Sequence, residues 1–291
     1  MENRKKDHEH KSSNNLKIAF FLNFGFTIIE IFGGFWTNSI AILTDAIHDL
    51  GDSLSLGLAW YFDTLSRRGR TPKHTYGYRR YRLLGGLITG LVLLVGLGFV
   101  LYHAVGRLAN PQPVRISGML LLAVLGILFN GIAVLKMSKG RSLTEKLVNW
   151  HLIEDTLGWI GVLIGAAVIA IWDLPIVDPI LSIAISLIVL WNVIRNLSKL
   201  LSVILQKTPE NFDAVEFERQ VSEFEGIESL HHVHCWTIDG ESHVLSAHLV
   251  IDDTVQDISI LKAKVRSLLD PESFEHVTLE TERAHDACPQ K

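Results

Sequence analysis

Six apolar runs, each near the ~20 residues that cross a bilayer as a helix, fill most of the chain between Leu16 and Ile194. They cover Leu16–Trp36, Ile40–Phe62, Leu83–Val105, Ile116–Leu135, Val148–Trp172 and Ile176–Ile194. The pattern predicts a membrane all-α unit over residues 16–197, built from six transmembrane helices and lying in a lipid bilayer. No small-residue cleavage site ends the first run, so it reads as a retained helix and not as a signal peptide.

Ionisable residues inside such runs are expensive and mark ion pathways. The second run carries Asp45, His48, Asp49 and Asp52. On a helix these share one face, because surface neighbours lie three and four apart. The fifth run opens with His151, Glu154 and Asp155. His48 to Asp52 and His151 to Asp155 both read His-x-x-x-Asp. Facing each other, the two pairs would offer two imidazole nitrogens and two carboxylate oxygens, a set suited to tetrahedral Zn²⁺. The plainer reading is two solvated i,i+4 pairs on soluble helices. Their place within membrane-length apolar runs argues against it, since polar burial without a partner is costly. Glu30 in the first run and Asn130 in the fourth are further polar groups at membrane depth.

Basic residues follow the second run (Arg67, Arg68, Arg70, Lys73, Arg79, Arg80, Arg82) and the fourth (Lys136, Lys139, Arg141, Lys146). By the positive-inside rule, both termini and the polar last third are cytoplasmic. The protein is then expected as a multi-pass protein of the cell inner (plasma) membrane. A net charge of −4 and the lack of a basic block away from the apolar runs leave no basis for a nucleic-acid partner. Two cysteines, Cys235 and Cys288, are too few for a disulfide framework. A reduced thiol is expected at Cys235.

Residues 1–15 form a polar tail, expected to be disordered, with His8 and His10 an incidental pair. Residues 198–210 read as a linker into a soluble domain over 211–284, with a short tail at 285–291. Phe212–Phe224 and Ile258–Leu269 have helical periodicity; Ser229–Ile238, His243–Ile251 and His276–Thr281 read as strands. Asp239-Gly240 is a hairpin signal. The order is that of a ferredoxin-like αββαβ sandwich, with Leu245, Ala247, Leu249 and Ile251 alternating onto its core.

With these stretches in place, the chain resembles the cation diffusion facilitator family of metal-ion/proton antiporters, over nearly its whole length after the tail. The match rests on Asn38-Ser39-Ile40-Ala41-Ile42-Leu43-Thr44-Asp45-Ala46-Ile47-His48 through Asp52, on His151-x-x-x-Asp155, and on Asp178-Pro179-Ile180-Leu181-Ser182. His234-Cys235-Trp236 and Ala247-His248 resemble the family's cytoplasmic signature. The resemblance implies a homodimer that transports zinc, with His48, Asp52, His151 and Asp155 as ligands to Zn²⁺, its substrate. Histidine at these positions resembles zinc transporters; manganese transporters tend to carry carboxylate there. Asp49 and Glu154 depart from the family pattern and, with Asp45, are candidates for proton coupling or a wet vestibule. The family's loop site is incomplete, since His74 matches one histidine but Tyr78 stands where another belongs. His234, His248, Glu280 and Glu282 are candidates for an accessory cytoplasmic metal site. The competing reading of His234 is a core or dimer-interface residue. His231, His232 and His243 read as surface residues, and His285 with Cys288 as a frayed tail.

Zinc needs neutral imidazole and ionised carboxylate, so its binding releases protons. The expected activity is export of Zn²⁺, and of Cd²⁺ or other divalent cations beside it, from the cytoplasm in exchange for protons. No Gly-x-x-x-x-Gly-Lys-Ser/Thr stretch is present to couple ATP. Not an enzyme: four protein ligands leave no open position for a catalytic water. The alternatives are a metal-sensing membrane receptor and, behind it, an intramembrane zinc enzyme.

Overall fold

A computed structural model describes residues 20, 21, 23–66, 68–137, 143–283, 285 and 288; the side chains at 60, 63, 133, 136, 137 and 143–151 fall outside the description. His8 and His10, Lys139 and Arg141, and the side chains of Lys136, Lys146 and His151 therefore lie outside the described residues. The chain forms two compact units. One runs to Phe62 and takes up Gly85–Leu197; the other comprises Asp63–Leu84 and the chain from Ser198 onward.

The helical unit is built from α1 (residues 23–37), α2 (Ile40–Ser66), α3 (Tyr81–Ala109), α4 (Ile116–Met137), α5 (Leu143–Trp172) and α6 (Val177–Ile204). Among the described residues, α3, the Leu152–Trp172 part of α5 and α6 are long and apolar enough to cross a membrane. The apolar stretch of α4, Ile116–Ile132, is shorter. In α2, Asp45, Asp49 and Asp52 interrupt the apolar run.

Among the described residues, three clusters organise the packing, the smallest being Ile40 of α2 with Val100 and Ala104 of α3, against Ile47 and Ile183. Phe26 of α1, Ile42 of α2, Met119 and Leu122 of α4, and Trp159 and Val162 of α5 make one core. Leu93 and Leu97 of α3 pack on Val189 and Val193 of α6 in another, with Ile47 of α2 against them. Glycine sets the closest approach of α4 to α5. A Cβ on Gly126 would come within 2.2 Å of the Trp159 indole. Many large apolar side chains point outward, Phe32, Tyr102, Leu135 and Trp191 among them. Water would penalise such a surface and hydrocarbon would not.

The second unit holds α7 (Ala214–Ser222), β1 (Ile227–Thr237), β2 (His243–Ile251), α8 (Ile258–Arg266) and β3 (Phe274–Arg283). Asp213 caps α7, accepting from the amides of Val215 and Glu216. Asp257 caps α8 in the same way through Ser259 and Ile260. The sheet order is β1-β2-β3, with β1 antiparallel and β3 parallel to β2. A parallel neighbour needs a crossover, and α8 supplies it. Leu245, Ala247, Leu249 and Ile251 meet Phe217, Val221, Leu261 and Val265 in the core, as the alternation requires. The β1–β2 turn is wider than a two-residue hairpin. Asp239 Oδ1 accepts from Glu241 and Ser242 amides, and Gly240 takes φ 98°, where other residues are strained.

Candidate metal centre

The helical period of α2 puts His48 one turn before Asp52, with His48 Nε2 3.7 Å from Asp52 Oδ2. Asp155 of α5 approaches from the facing helix, its Oδ1 3.7 Å from the same nitrogen. One donor atom from each of His48, Asp52 and Asp155 lies within 4.8 Å of the others. Zinc bonds of ~2.0–2.2 Å in a tetrahedron hold their donor atoms roughly 3.3–3.6 Å apart. His48 Nε2, at 3.7 Å from each carboxylate, stands just beyond that spacing, and the three donor atoms lie within 4.8 Å of one another. His151 belongs to α5 one turn before Asp155, on the same helix face by position.

Burial sorts the remaining acids. Asp45 and Asp49 are each 4% exposed, whereas Glu154 is exposed. Asp45 comes close to α5 at a glycine, for a Cβ on Gly158 would lie 3.6 Å from its Oδ1. Glu30 of α1 is fully buried and faces Asp49 and Asp45. The sequence marks Glu30 only as a lone acid in an apolar run, without indicating which helix it meets.

His74 makes a different kind of contact. Its ring stacks on Tyr78 at 4.2 Å, and its Nε2 lies 3.5 Å from the Tyr81 hydroxyl. Tyr78 thus occupies one face of His74 with an aromatic ring.

The α/β unit gathers a second cluster on the sheet face opposite its core. His248 Nδ1 lies 2.5 Å from Glu282 Oε1, and His248 Nε2 lies 3.4 Å from Glu280 Oε2. His231 Nε2 is 3.3 Å from the other oxygen of Glu282, and Cys288 Sγ is 3.7 Å from His248 Nδ1. His231, His248, Glu282 and Cys288 form a ligand-sized group. His234 is exposed and stands outside it, opposite Ser246. The reason is a bulge: His231 pairs with His248, but the next pairing is His234 with Ser246. His232 in between takes φ 49° and absorbs the extra residue. Two other assignments change. Cys288 joins the cluster instead of hanging free, and His243 is buried against Phe274 rather than on the surface. Desolvation holds the His243 imidazole below the usual histidine range. Burial pushes the Cys235 thiol up to about 11 and leaves it unreactive near neutral pH.

A helical unit with acids and imidazole converging between two helices, joined to a small α/β sheet, defines a membrane protein that handles cations. The model of the cation efflux transmembrane domain matches residues 16–205. The chain is 32% identical to the cadmium, cobalt and zinc/H(+)-K(+) antiporter of Bacillus subtilis, covering 96% of this chain and 93% of that one. It is 33% identical to the metal cation efflux system protein CzcD of Cupriavidus metallidurans, over 95% and 89% of the two chains. The zinc transporter ZitB of Escherichia coli is 31% identical, over 94% and 88%. The chain belongs to the cation diffusion facilitator family and is an exporter of divalent metal cations.

Proposed function

We propose that the exported ion is Zn²⁺, with Cd²⁺ as a competing substrate, and that protons move the opposite way. The observation that carries this is the convergence of His48, Asp52 and Asp155, with His48 Nε2 3.7 Å from an oxygen of each carboxylate. His151, a turn before Asp155, completes two nitrogens and two oxygens. The donor set suits zinc better than a hard cation, since imidazole is a borderline donor. The names carried by the relatives in Bacillus subtilis and Escherichia coli point the same way. All six helices α1–α6 cross the membrane in this reading, and the protein is a homodimer of the plasma membrane with both termini in the cytoplasm. Residues 16–197 form the membrane domain, 198–210 the linker and 211–284 the soluble domain.

The exchange follows from the ligands themselves. Metal needs His48 and His151 neutral and Asp52 and Asp155 ionised, so its arrival expels protons. When the site faces the opposite side, protons reclaim the same groups and release the metal. Asp45, Asp49 and Glu30 supply further carboxyls beside this exchange; Glu154, exposed, faces the vestibule. The cluster of His231, His248, Glu282 and Cys288, with Glu280 beside it, binds zinc as an accessory site in the cytoplasm. A metal-sensing receptor or an intramembrane zinc enzyme gains no support from the relatives, which are named as transporters.

The test is zinc flux into sealed vesicles, with metal and pH dyes read together. Asp155→Ala removes one of four ligands, and flux should fall at least tenfold with the dimer intact, since even supporting contacts are worth ~10–100-fold. Full flux in that variant, or wild-type flux without proton counterflow, would refute this mechanism.

A further inference from the structure

The first turn of α2 is closed by a residue of another helix. A helix leaves its first four amides without partners inside it. Here Ile40 N donates to Asp178 Oδ2 at 2.8 Å and Ala41 N to Asp178 Oδ1 at 3.3 Å. Ile42 N donates to Ser39 Oγ at 3.2 Å, and Leu43 N to the Ser39 carbonyl at 3.3 Å. The Ser39 hydroxyl itself donates to Asp178 Oδ1 at 2.5 Å. Every one of the four amides is thus satisfied, two of them by one carboxylate from α6. Asp178 and Ser39 are fully buried.

The seam continues in both directions. One turn along, the hydroxyls of Thr44 and Ser182 lie 2.6 Å apart, both buried. At the turn before α2, Arg107 of α3 donates to the Asn38 carbonyl at 2.6 Å and to Asn38 Oδ1 at 2.7 Å. Asn38 Nδ2 donates to the Pro113 carbonyl at 2.9 Å. The α2 N-terminus is therefore tied to α3, α6 and the α3–α4 connection at once. Farther down α2, the side chains of His48 and Asp52 are 24% exposed. Between them and Asp178, Ser39, Thr44 and Asp45 are all buried, so the site is closed on that side.

We propose that Asp178 is the latch of the closed end: a positioning residue that holds α2 on α6, and whose release from the first turn of α2 opens the site to the other side of the membrane. The proposal rests on the transport reading. Chemistry makes such a latch two-state. A carboxylate on a helix N-terminus is strongly held while dry, because charge-assisted hydrogen bonds gain from a low dielectric. Once water enters, both the carboxylate and the helix end are well solvated, and separation costs little. Apolar contacts flank the polar seam, with Ile40 of α2 on Val100 and Ala104 of α3 and Ile47 of α2 against the α3/α6 core, so release of the latch parts these contacts as well.

Ser186 is the reporter. It lies one turn beyond Ser182 on the same face of α6, fully buried, and its hydroxyl makes no hydrogen bond among the described residues. Ser186→Cys therefore removes no contact of the latch. The experiment uses the full chain in detergent, with Cys288→Ser, and a water-soluble maleimide; the buried Cys235 stays silent. Adding Asp178→Asn should speed labelling at Ser186→Cys at least tenfold. A control at Ala123→Cys, buried in α4 away from the seam, should stay slow. Zinc binding to the purified Asp178→Asn variant should stay within threefold of that of its Cys288→Ser parent, because Asp178 is not a ligand, while zinc flux in vesicles falls below the parent's. Unchanged labelling at Ser186→Cys, or equal acceleration at Ala123→Cys, overturns the latch. If Asp178→Asn does not fold, Arg107→Gln loosens the same turn from α3 and is read against the same two outcomes. A wild type that moves no metal would sink the transport reading and leave the labelling result intact.

Discussion

At the scale of single residues, the proposed zinc site makes His48 the position at which metal choice is best tested. It stands 3.7 Å from both Asp52 and Asp155, the shared neighbour of the two carboxylates. His48→Asp keeps the i,i+4 geometry but converts a nitrogen donor to oxygen. The shorter side chain leaves space for a retained water, which suits ions of higher coordination number. The expected outcome is lost discrimination: zinc flux relative to manganese should fall by at least about tenfold, since even a contact that only supports a ligand is worth ~10–100-fold. Competition flux in vesicles at matched expression measures it. An unchanged ratio in an active variant would remove His48 from selectivity.

Elements were legible where periodicity decides and illegible where parity or distance does. The helical runs and the αββαβ order follow from apolar spacing, since periods of 3.6 and 2 are local. The ligand-bearing histidine of β1 did not follow, because one extra residue between His231 and His234 shifts which side chain meets His248. Nothing in the alternation of His231, His232 and His234 announces that bulge. Asp178 was readable as part of a family motif, yet its partner Ser39 lies 139 residues away, beyond any local signal. Packing of α4 on α5 gives a prediction at this scale. Gly126→Ala places a methyl 2.2 Å from the buried Trp159 ring, so the helices must separate. Overpacking of this kind costs about 1–3 kcal/mol. Gly131→Ala, on the same helix with nothing within 4 Å, should be neutral or stabilising. Thermal unfolding in detergent separates the two; equal midpoints would mean that the α4–α5 contact is looser than described.

For the molecule as a whole, the cluster in the α/β unit is the second place where the proposed zinc chemistry can be tested. His248 is 3% exposed and is approached by two glutamates, a histidine and a cysteine. Replacing His231 and His248 together by Ala should shift the zinc dependence of flux to higher concentration by roughly threefold to tenfold, in line with a loss of supporting contacts. Maximal flux should persist, because the transport ligands are untouched. Complete loss of flux in a folded double variant would make the cluster obligatory instead of accessory.

The loop between α2 and α3 is fastened to β3 through one carboxylate. Glu275 accepts from Arg70 at 2.8 Å on one oxygen and from Arg79 on the other; Arg79 also donates to Ser242. Arg79 and Glu275 are 196 residues apart in sequence. A ribosome adding roughly 5–20 residues per second delivers Glu275 about 10–40 s after Arg79. For that interval the two arginines lack Glu275 as a partner. Within a single chain they serve two masters in succession. In the proposed topology they are first the basic charges that keep the loop in the cytoplasm; once β3 exists, they fasten the loop to it. Topology and assembly are thus written with the same side chains, read at different moments of synthesis.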